Sequence, residues 1–193
     1  LDLLRSRVTP GAGERLLVAA HEGADRAAKL THSLLAFARD QQLGVEVEDL
    51  NAIIEDFSEL LRDAVRENGT IGFALGAQPL FCLVDTTHFQ TALLNLVLNA
   101  GQALPPQGGH IAVATQRVGL DERQAAEYPN LKPGSYVMVT VSDTGKGMSP
   151  EVMEHVFEPF YTTRDIGEGT GLGLSVVHGI VSSMGGKISV ESE

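Results

Sequence analysis

The segment of residues 87–104, THFQTALLNLVLNAGQAL, limits what this chain can fold into more than any other segment. Asn95 and Asn99 are four residues apart, so on a helix they lie on one face, one turn from each other. Most of the remaining residues are apolar, which predicts a helix that is buried on most sides. An unpaired buried amide costs about 1–3 kcal/mol, so both asparagines require partners.

Two kinds of partner are open for this pair of amides. The asparagines can bond the backbone of a neighbouring loop, or they can line a cavity and offer neutral oxygens to a hard cation. Mg²⁺ suits the second alternative because it takes few protein ligands and completes its octahedron with water and phosphate oxygens. Thr91 and Gln102 extend the same polar face of the predicted helix.

The acidic composition argues against several classes of partner. The chain of 193 residues has a formal net charge of −11, which disfavours nucleic acid and anionic membrane surfaces. Cys82 is the only cysteine, so an internal disulfide is impossible, and no apolar run approaches the ~18 residues of a membrane span. We expect a cytoplasmic segment that makes no membrane contact, although the parent chain could be membrane-anchored.

The first 43 residues have the pattern of a partial helical hairpin. Residues 1–8 are typical of the end of one helix, and residues 13–41 predict a second helix with an apolar face. Because such a face is not left in water, it predicts a four-helix bundle with a second copy of the chain, and hence a homodimer. The alternative is that it packs on the chain's own globular domain. The heptad seam of this face consists of Leu16, Ala20, Gly23, Ala27, Leu30, Leu34 and Phe37.

Residues 44–193 predict a separate α+β domain. Its helical and strand patterns mix without strict alternation, which is typical of a two-layer α/β sandwich with a mixed sheet and helices on one face. Thr87 with Gln90 predicts a capping box at the start of the asparagine-bearing helix, and Pro105-Pro106 ends it. The predicted elements are helices over 49–67, 87–104 and 172–184 and strands over 71–75, 80–84, 111–118, 136–142 and 187–192, with a polar connector over 41–48 and a loop-rich region over 143–173.

The first glycine loop, Asp143-Thr144-Gly145-Lys146-Gly147-Met148, directly follows a predicted strand. A carboxylate at a strand end can accept a hydrogen bond from a donor such as the exocyclic amine of adenine. The two glycines let a flat ring approach the backbone closely. The alternative is a plain turn.

The second glycine loop, Gly167-Glu168-Gly169-Thr170-Gly171-Leu172-Gly173-Leu174, opens the last predicted helix. Backbone N–H groups and the positive end of a helix dipole commonly hold phosphates, so this loop predicts a phosphate site. The loop lacks the G-K-[ST] of a Walker P-loop. The chain also lacks the H-R-D and D-F-G motifs of protein kinases.

A segment of residues 149–168 separates the two glycine loops and contains the sequence FEPFYTTR, residues 157–164. Aromatic residues on a segment bounded by glycines predict a mobile flap with an apolar anchor. The alternative is an ordinary surface loop with Phe157 and Phe160 in the core. Arg164 could reach a terminal phosphate, or it could be a solvated charge.

Four motifs together resemble one family. N-L-x-x-N-A (residues 95–100), D-T-G-K-G-M, F-E-P-F-Y-T-T-R and G-T-G-L-G-L follow the order and spacing of the N, first-glycine, F and second-glycine boxes. These boxes belong to the sensor histidine kinases of two-component systems, within the GHKL ATPase superfamily. The stretch RAAKLTHSLLAFAR, residues 26–39, is similar to the second helix of that family's dimerisation and phosphotransfer hairpin. The resemblance covers essentially the whole chain.

The resemblance implies a Bergerat-type ATP-binding fold over residues 44–193 and an ATP-dependent protein-histidine kinase. It implies that Asn99 ligates Mg²⁺, that Asn95 helps to hold the metal and phosphates, and that Asp143 binds the adenine amine. The γ-phosphoryl group would pass to a histidine and then to an aspartate of a response-regulator receiver domain. The further implied ATP-binding residues are Gly145, Lys146, Gly147, Met148, Arg164, Gly169, Thr170, Gly171, Leu172, Gly173 and Leu174, with a lid over residues 148–170.

One position helps to separate a kinase from a hydrolase in this superfamily. Its gyrase-like and chaperone ATPases carry, four residues before the metal asparagine, a glutamate that activates water. Asn95 occupies that position here, and an amide cannot act as a general base. The resemblance therefore favours a kinase, while a GHKL-type ATPase, a serine kinase and a non-catalytic phosphotransfer or docking protein stay open.

The family's phosphoacceptor histidine belongs on the first hairpin helix, in a box that begins H-E or H-D. We expect this histidine upstream of Leu1. His21-Glu22 is similar to the start of the box, but Gly23-Ala24-Asp25 does not continue it. His21 is therefore not the expected acceptor.

Overall fold

The computed structural model describes residue 13 and residues 44–193, except residues 127, 129, 130 and 165–168. Residues 41–193 belong to one compact unit. The predicted hairpin, its homodimer and His21 lie outside the described residues, and the domain boundary at residue 44 stays a prediction. The described elements are helices α1 (Leu50–Val65), α2 (Thr86–Ala103), α3 (Glu122–Ala126), α4 (Pro150–His155) and α5 (Gly173–Ser183), and strands β1 (Glu46–Asp49), β2 (Thr70–Ala74), β3 (Phe81–Val84), β4 (His110–Leu120) and β5 (Gly134–Asp143).

The described strands form two sheets. In the three-stranded sheet the order is β2-β4-β5, with β4 parallel to β2 and antiparallel to β5. The two-stranded sheet pairs β1 with β3 in antiparallel orientation. Ile111 at the start of β4 lies opposite Asp143 at the end of β5, so the first glycine loop leaves the sheet where β4 begins. The prediction of a mixed sheet is confirmed.

The core lies between the three-stranded sheet and helices α1 and α2. Along β4, Ile111, Val113 and Thr115 are buried at alternate positions, as a strand with one covered face requires. Each fully buried Val, Leu or Ile stabilises the fold by about 1.5–3 kcal/mol. The two-layer α/β arrangement predicted from the sequence is confirmed. The buried core residues are Ile54, Leu61, Val65, Leu93, Val97, Ala100, Ile111 and Val113.

Helix α5 packs against a second stripe of α2. Ala92 of α2 forms a buried cluster with Val176, Val177 and Ile180 of α5. Because α2 contacts the core on one side and α5 on the other, only a narrow face of the helix is left uncovered. This face carries the asparagines, and Leu98 beside it is 36% exposed. The helix is therefore buried on most sides, as predicted.

A buried polar cluster joins α1 to β4. The Thr115 hydroxyl donates to Asn51 Oδ1 at 2.6 Å, and Asn51 Nδ2 donates to the carbonyls of Gly76 and Gln78 at 2.9 and 3.1 Å. The Gly76 N–H in turn donates to Thr115 Oγ1 at 2.9 Å. Every polar atom of the two side chains is thereby paired, so the cluster fixes the loop after β2 without an unsatisfied group.

The predicted capping box at the start of α2 is wrong. Asp85 is the N-cap, with φ −90° and ψ 112°, and its Oδ1 accepts from the His88 N–H at 2.9 Å. An aspartate carboxylate two residues earlier supplies the cap, so Thr87 enters the helix instead. Asp85 Oδ2 also accepts from the Gly44 N–H at 2.9 Å. The pKa of Asp85 lies below its ordinary value. Burial acts to raise this pKa, but the hydrogen bonds from His88 and Gly44 lower it by more.

The structure contains three elements where connectors or loops were predicted. Strand β1 lies in the predicted polar connector, because pairing with β3 supplies its hydrogen bonds despite its charged sequence. Helix α3 lies in the long loop between β4 and β5. Helix α4 lies in the loop-rich region, where Ser149 as N-cap and Pro150 in the first turn are a start signal that the prediction missed.

The predicted last strand, residues 187–192, is wrong. Among the described residues, no backbone hydrogen bond joins this segment to a strand, and a strand exists only through such a ladder. Instead Ile188 packs against the α5 cluster, and Ser192 bonds the first glycine loop. Within the described part of the chain, no helix is long and apolar enough to cross a membrane.

Candidate functional site

The asparagine face of α2, defined here as Asn95, Asn99 and Gln102, meets the start of α5. Asn95 Nδ2 donates to the Thr91 carbonyl at 2.8 Å, which leaves Asn95 Oδ1 as an acceptor. A Cβ built on Gly173 would lie 3.5 Å from Asn95 Oδ1, 3.2 Å from Asn99 Nδ2 and 3.5 Å from Asn99 Oδ1. The two amides therefore converge on the first residue of α5, and glycine there leaves a space between them.

The start of α5 presents backbone donors beside these amides. Its N-cap, Leu172, makes no side-chain capping bond, so no side chain at that position satisfies the N–H groups of the first turn. Gly171 has φ +64°, a left-handed conformation that favours glycine. The backbone N–H groups and the positive dipole end of a helix start suit an anion.

The first glycine loop lies against the other end of α2. The Lys146 N–H donates to the Ala103 carbonyl at 3.2 Å. A Cβ on Gly145 would lie 2.7 Å from the Ala103 carbonyl oxygen and 2.8 Å from Ala103 Cβ, so only glycine permits this approach. Asp143 Oδ1 accepts from the Gly145 N–H at 2.8 Å, which leaves the exposed second oxygen of Asp143 available to a ligand. One helix thus supports both glycine loops.

The end of the first glycine loop is held by the C-terminal segment. Gly147 has φ +66°, and the next residue, Met148, donates its N–H to Ser192 Oγ at 2.8 Å. Residues 187–192 therefore brace the loop.

The flap between the loops is tied to the second glycine loop and to α5. The Phe160 N–H donates to the Gly171 carbonyl at 2.8 Å, and a Cβ on Gly171 would lie 2.6 Å from the Phe160 carbonyl oxygen. The Phe157 ring lies 5.5 Å from the His178 ring of α5, centroid to centroid. Phe160 is 62% exposed and has φ +68°, so it faces solvent, whereas Phe157 is half-buried and the neighbouring Val156 is buried.

Arg164 at the end of the flap contacts the asparagine face. Its Nη1 donates to Gln102 Oε1, and its backbone N–H donates to Thr162 Oγ1 at 3.2 Å. A Cβ on Gly169 would lie 3.3 Å from Arg164 Cδ and 2.9 Å from Thr162 Oγ1. The glycine at 169 therefore makes room for the arginine.

A charged pair lies in the same flap, at the end of α4. His155 Nδ1 and Glu158 Oε1 are 2.8 Å apart, and the His155 ring lies 5.4 Å from the Tyr161 ring. The hydrogen bond and negative charge of Glu158 raise the pKa of His155.

The amides fit a magnesium ion that takes few protein ligands. Among the described residues, no group of three or more His, Cys, Asp and Glu side chains is placed to hold a metal. Asn95 Oδ1 and Asn99 Oδ1 instead border the space that glycine leaves at Gly173. Neutral amide oxygens are hard donors, and Mg²⁺ completes its shell with water and phosphate oxygens.

The structure places residues singled out from the sequence at three points along α2: Gly173 beside Asn95 and Asn99, Arg164 beside Gln102, and the first glycine loop beside Ala103. Leu172 differs, because its side chain is only 4% exposed and belongs to the interior. Thr170 and Lys146 are exposed and Leu174 is partly buried. Sequence reasoning placed Gln102 on the polar face of the helix and Thr162 in the FEPFYTTR segment, but it missed their contacts with Arg164 and the contact of His178 with Phe157. No local pattern joins His178 to the site.

Comparison with known proteins identifies the family. Residues 84–193 match the histidine kinase-, DNA gyrase B-, and HSP90-like ATPases. The chain is 38% identical over 172 residues to the sensor kinase CckA of Brucella abortus (strain 2308), a match covering 89% of this chain and 18% of that protein. It is 37% identical over 190 residues to the sensor histidine kinase ZraS of Klebsiella oxytoca, covering 95% of this chain and 37% of that protein.

Solved structures share the fold. Full-length ShkA in complex with AMPPNP superposes with a TM-score of 0.69 at 23% identity, covering 95% of this chain and 36% of that chain. The histidine kinase ThkA in complex with the response regulator protein TrrA gives a TM-score of 0.65 at 21% identity, covering 92% of this chain and 46% of that chain.

The chain spans 18% and 37% of the lengths of the relatives CckA and ZraS. The family match itself extends over more than half of the chain and includes the asparagine face, the flap and both glycine loops. The chain therefore belongs to the histidine kinase-, DNA gyrase B- and HSP90-like ATPase family and carries the ATP-binding domain of the two-component sensor histidine kinases.

Proposed function

We propose that this chain uses Mg-ATP to phosphorylate a histidine side chain of a partner hairpin, and that the phosphoryl group then passes to a response-regulator aspartate. The observation that carries the proposal is the convergence of Asn95 and Asn99 on Gly173 at the start of α5. Phosphoryl transfer asks a protein mainly for positioning and charge stabilisation, and this arrangement supplies both.

Each end of the nucleotide has its own group of residues in this proposal. The exposed oxygen of Asp143 accepts from the adenine amine, and Gly145 and Gly147 leave the base room beside the backbone. Asn99, with help from Asn95, holds Mg²⁺, which when bound neutralises charge on the phosphate oxygens. The N–H groups at the start of α5 receive the phosphates, and the lid over residues 148–170 covers them.

The amide at position 95 supports a kinase over a hydrolase. Asn95 occupies the position of the superfamily's water-activating glutamate, and its Nδ2 already donates to the Thr91 carbonyl. An amide has no basic lone pair with which to take a proton from water. A neutral imidazole is already a nucleophile, so a histidine acceptor needs no base at this position.

The partners in this proposal are the acceptor hairpin and a receiver domain. In this proposal the acceptor histidine belongs to a helical hairpin of the kind that residues 1–43 predict in part, and two copies of the chain form a homodimer through that hairpin. ThkA has been solved with the response regulator TrrA, which supports a receiver domain as the next acceptor. We place these events in the cytoplasm.

The test is phosphorylation in trans. The 193-residue chain is mixed with radiolabelled ATP, Mg²⁺ and the purified helical hairpin of a sensor kinase relative such as CckA. We expect an acid-labile, base-stable label on the hairpin that disappears when its acceptor histidine is alanine, and that Asn99→Ala abolishes. Steady phosphate release without the hairpin would indicate an ATPase, and acid-stable label on serine would indicate a serine kinase. Absence of ATP binding would indicate a docking protein.

A further inference from the structure

Gln102 extends the asparagine face towards the end of the flap. It follows Asn99 by three residues and Asn95 by seven, so all three side chains leave α2 on the same side. Its Oε1 accepts from Nη1 of Arg164, a residue 62 positions away in the sequence. This contact therefore joins the flap to the face where the amides converge.

Arg164 is held from two further directions. Its backbone N–H donates to Thr162 Oγ1 at 3.2 Å, which holds the backbone from which the arginine side chain extends. On the other side, a Cβ on Gly169 would lie 3.3 Å from Arg164 Cδ, so glycine at this position leaves room for the aliphatic stem of the arginine. The backbone and the aliphatic stem are thus placed, and Gln102 sets the direction of the guanidinium.

The bond with Gln102 leaves the guanidinium cationic and able to bind more groups. A guanidinium has five N–H donors in a planar fork, and the contact with Gln102 occupies one of its nitrogens. Because glutamine is neutral, it orients the arginine without cancelling its charge. In a chain with a net charge of −11, a cation fixed at this face provides the local attraction that a polyanion requires.

We propose that Gln102 is a positioning residue for phosphoryl transfer, and that it holds the Arg164 guanidinium at the asparagine face to meet the terminal phosphate of ATP. This inference rests on the proposed function. ADP lacks the terminal phosphate, so the contribution of Gln102 belongs to ATP alone. Gln102 touches no reacting atom, and its whole effect passes through Arg164.

The test is a double-mutant cycle in calorimetry with the 193-residue chain. Gln102→Ala is expected to weaken Mg-ATP binding about threefold to tenfold, the scale of an exposed charged hydrogen bond, and to leave Mg-ADP binding within about twofold. In an Arg164→Ala background the same substitution is expected to have no effect on Mg-ATP binding. Gln116→Ala, which removes an exposed glutamine from β4, is the matched control and is expected to bind both nucleotides as the wild type does.

Three results overturn this inference. They are equal losses for ATP and ADP, additive effects of the two substitutions, and unchanged ATP binding in Gln102→Ala. A different result would show that the proposed function fails. If the wild-type chain binds no Mg-ATP, both the proposed function and the role of Gln102 are overturned. A wild type that binds Mg-ATP, with Gln102→Ala indifferent, overturns only the role of Gln102. Since Gln102 is exposed, the substitution leaves the fold intact, and thermal unfolding of the variant verifies this.

Discussion

A methyl group added at Gly173, the first residue of α5, should affect nucleotide binding and the stability of the fold differently. Gly173→Ala places a Cβ 3.2 Å from Asn99 Nδ2 and 3.5 Å from Asn95 Oδ1. The first contact is tight and moves the Asn99 amide by a few tenths of an ångström. The methyl also fills the space beside the two amides, where the proposed function places the phosphates and the metal. In a helix, alanine is favoured over glycine by up to about 1 kcal/mol, so the fold itself is not weakened.

We expect Gly173→Ala to weaken nucleotide binding without lowering the stability of the fold. The free energy of unfolding should stay equal or rise by up to about 1 kcal/mol. Mg-ATP binding should weaken about tenfold to hundredfold, or about 1.4–2.8 kcal/mol, because the methyl group and the displaced Asn99 amide would crowd the phosphate site that we propose at Gly173. Calorimetric titration measures the binding and urea unfolding measures the stability.

The same helix provides the matched control for this substitution. Gly179 also lies in α5, and a Cβ there would meet nothing within 4 Å. Gly179→Ala should therefore stabilise the helix to a similar extent and leave Mg-ATP binding unchanged. Equal affinities in the wild type and both variants would show that the space at Gly173 is not used, and the reasoning that places the phosphates there would be refuted.

Three further predictions concern the adenine end, the core and the flap. Asp143→Asn exchanges an acceptor carboxylate for an amide and should weaken ATP binding by about 1–3 kcal/mol in calorimetry; unchanged affinity would remove Asp143 from the adenine site. Asn51→Ala leaves the Thr115 hydroxyl without its acceptor and two carbonyls without donors, so urea unfolding should give a free energy of unfolding about 1–3 kcal/mol lower; an unchanged value would contradict this. Because Glu158 raises the pKa of His155 in the folded chain, the pair stabilises the fold below the unfolded pKa of histidine, and this stabilisation is lost as pH rises through the folded pKa. An NMR titration of His155 should therefore have its midpoint above the ordinary value and shift down in Glu158→Gln; equal midpoints in the two proteins would contradict it.

The parts of the fold that depend on local periodicity could be predicted from the sequence. The four-residue spacing of Asn95 and Asn99 placed them on one helix face, and the structure brings both to Gly173. The alternation in β4 and β5 marked two strands of the three-stranded sheet, of which β4 is the central strand and has one face covered by helices. The glycine loops were recognisable because close backbone approach and left-handed φ at Gly171 leave few other residues possible.

The parts that depend on distant partners could not be predicted. Strand β1 exists because β3 pairs with it, and its own sequence, EVED, has no strand pattern. Residues 187–192 have such a pattern, but in the described chain they make no ladder. The contact between Gln102 and Arg164 joins residues 62 positions apart, which no local rule foresees. At the start of α2 two capping signals competed, and the stronger acceptor, Asp85, prevailed.

Helix α2 acts as a rigid spacer between the two glycine loops. Ala103 supports the first glycine loop and Asn99 borders the start of α5, and four residues of helix separate them by about 6 Å along its axis. Because a packed helix neither stretches nor shortens, the distance between these two supports is set by the rise per residue of the helix. The helix therefore holds the two glycine loops at a fixed separation, and in the proposed function this separation sets how far apart the adenine and phosphate ends of the nucleotide are held.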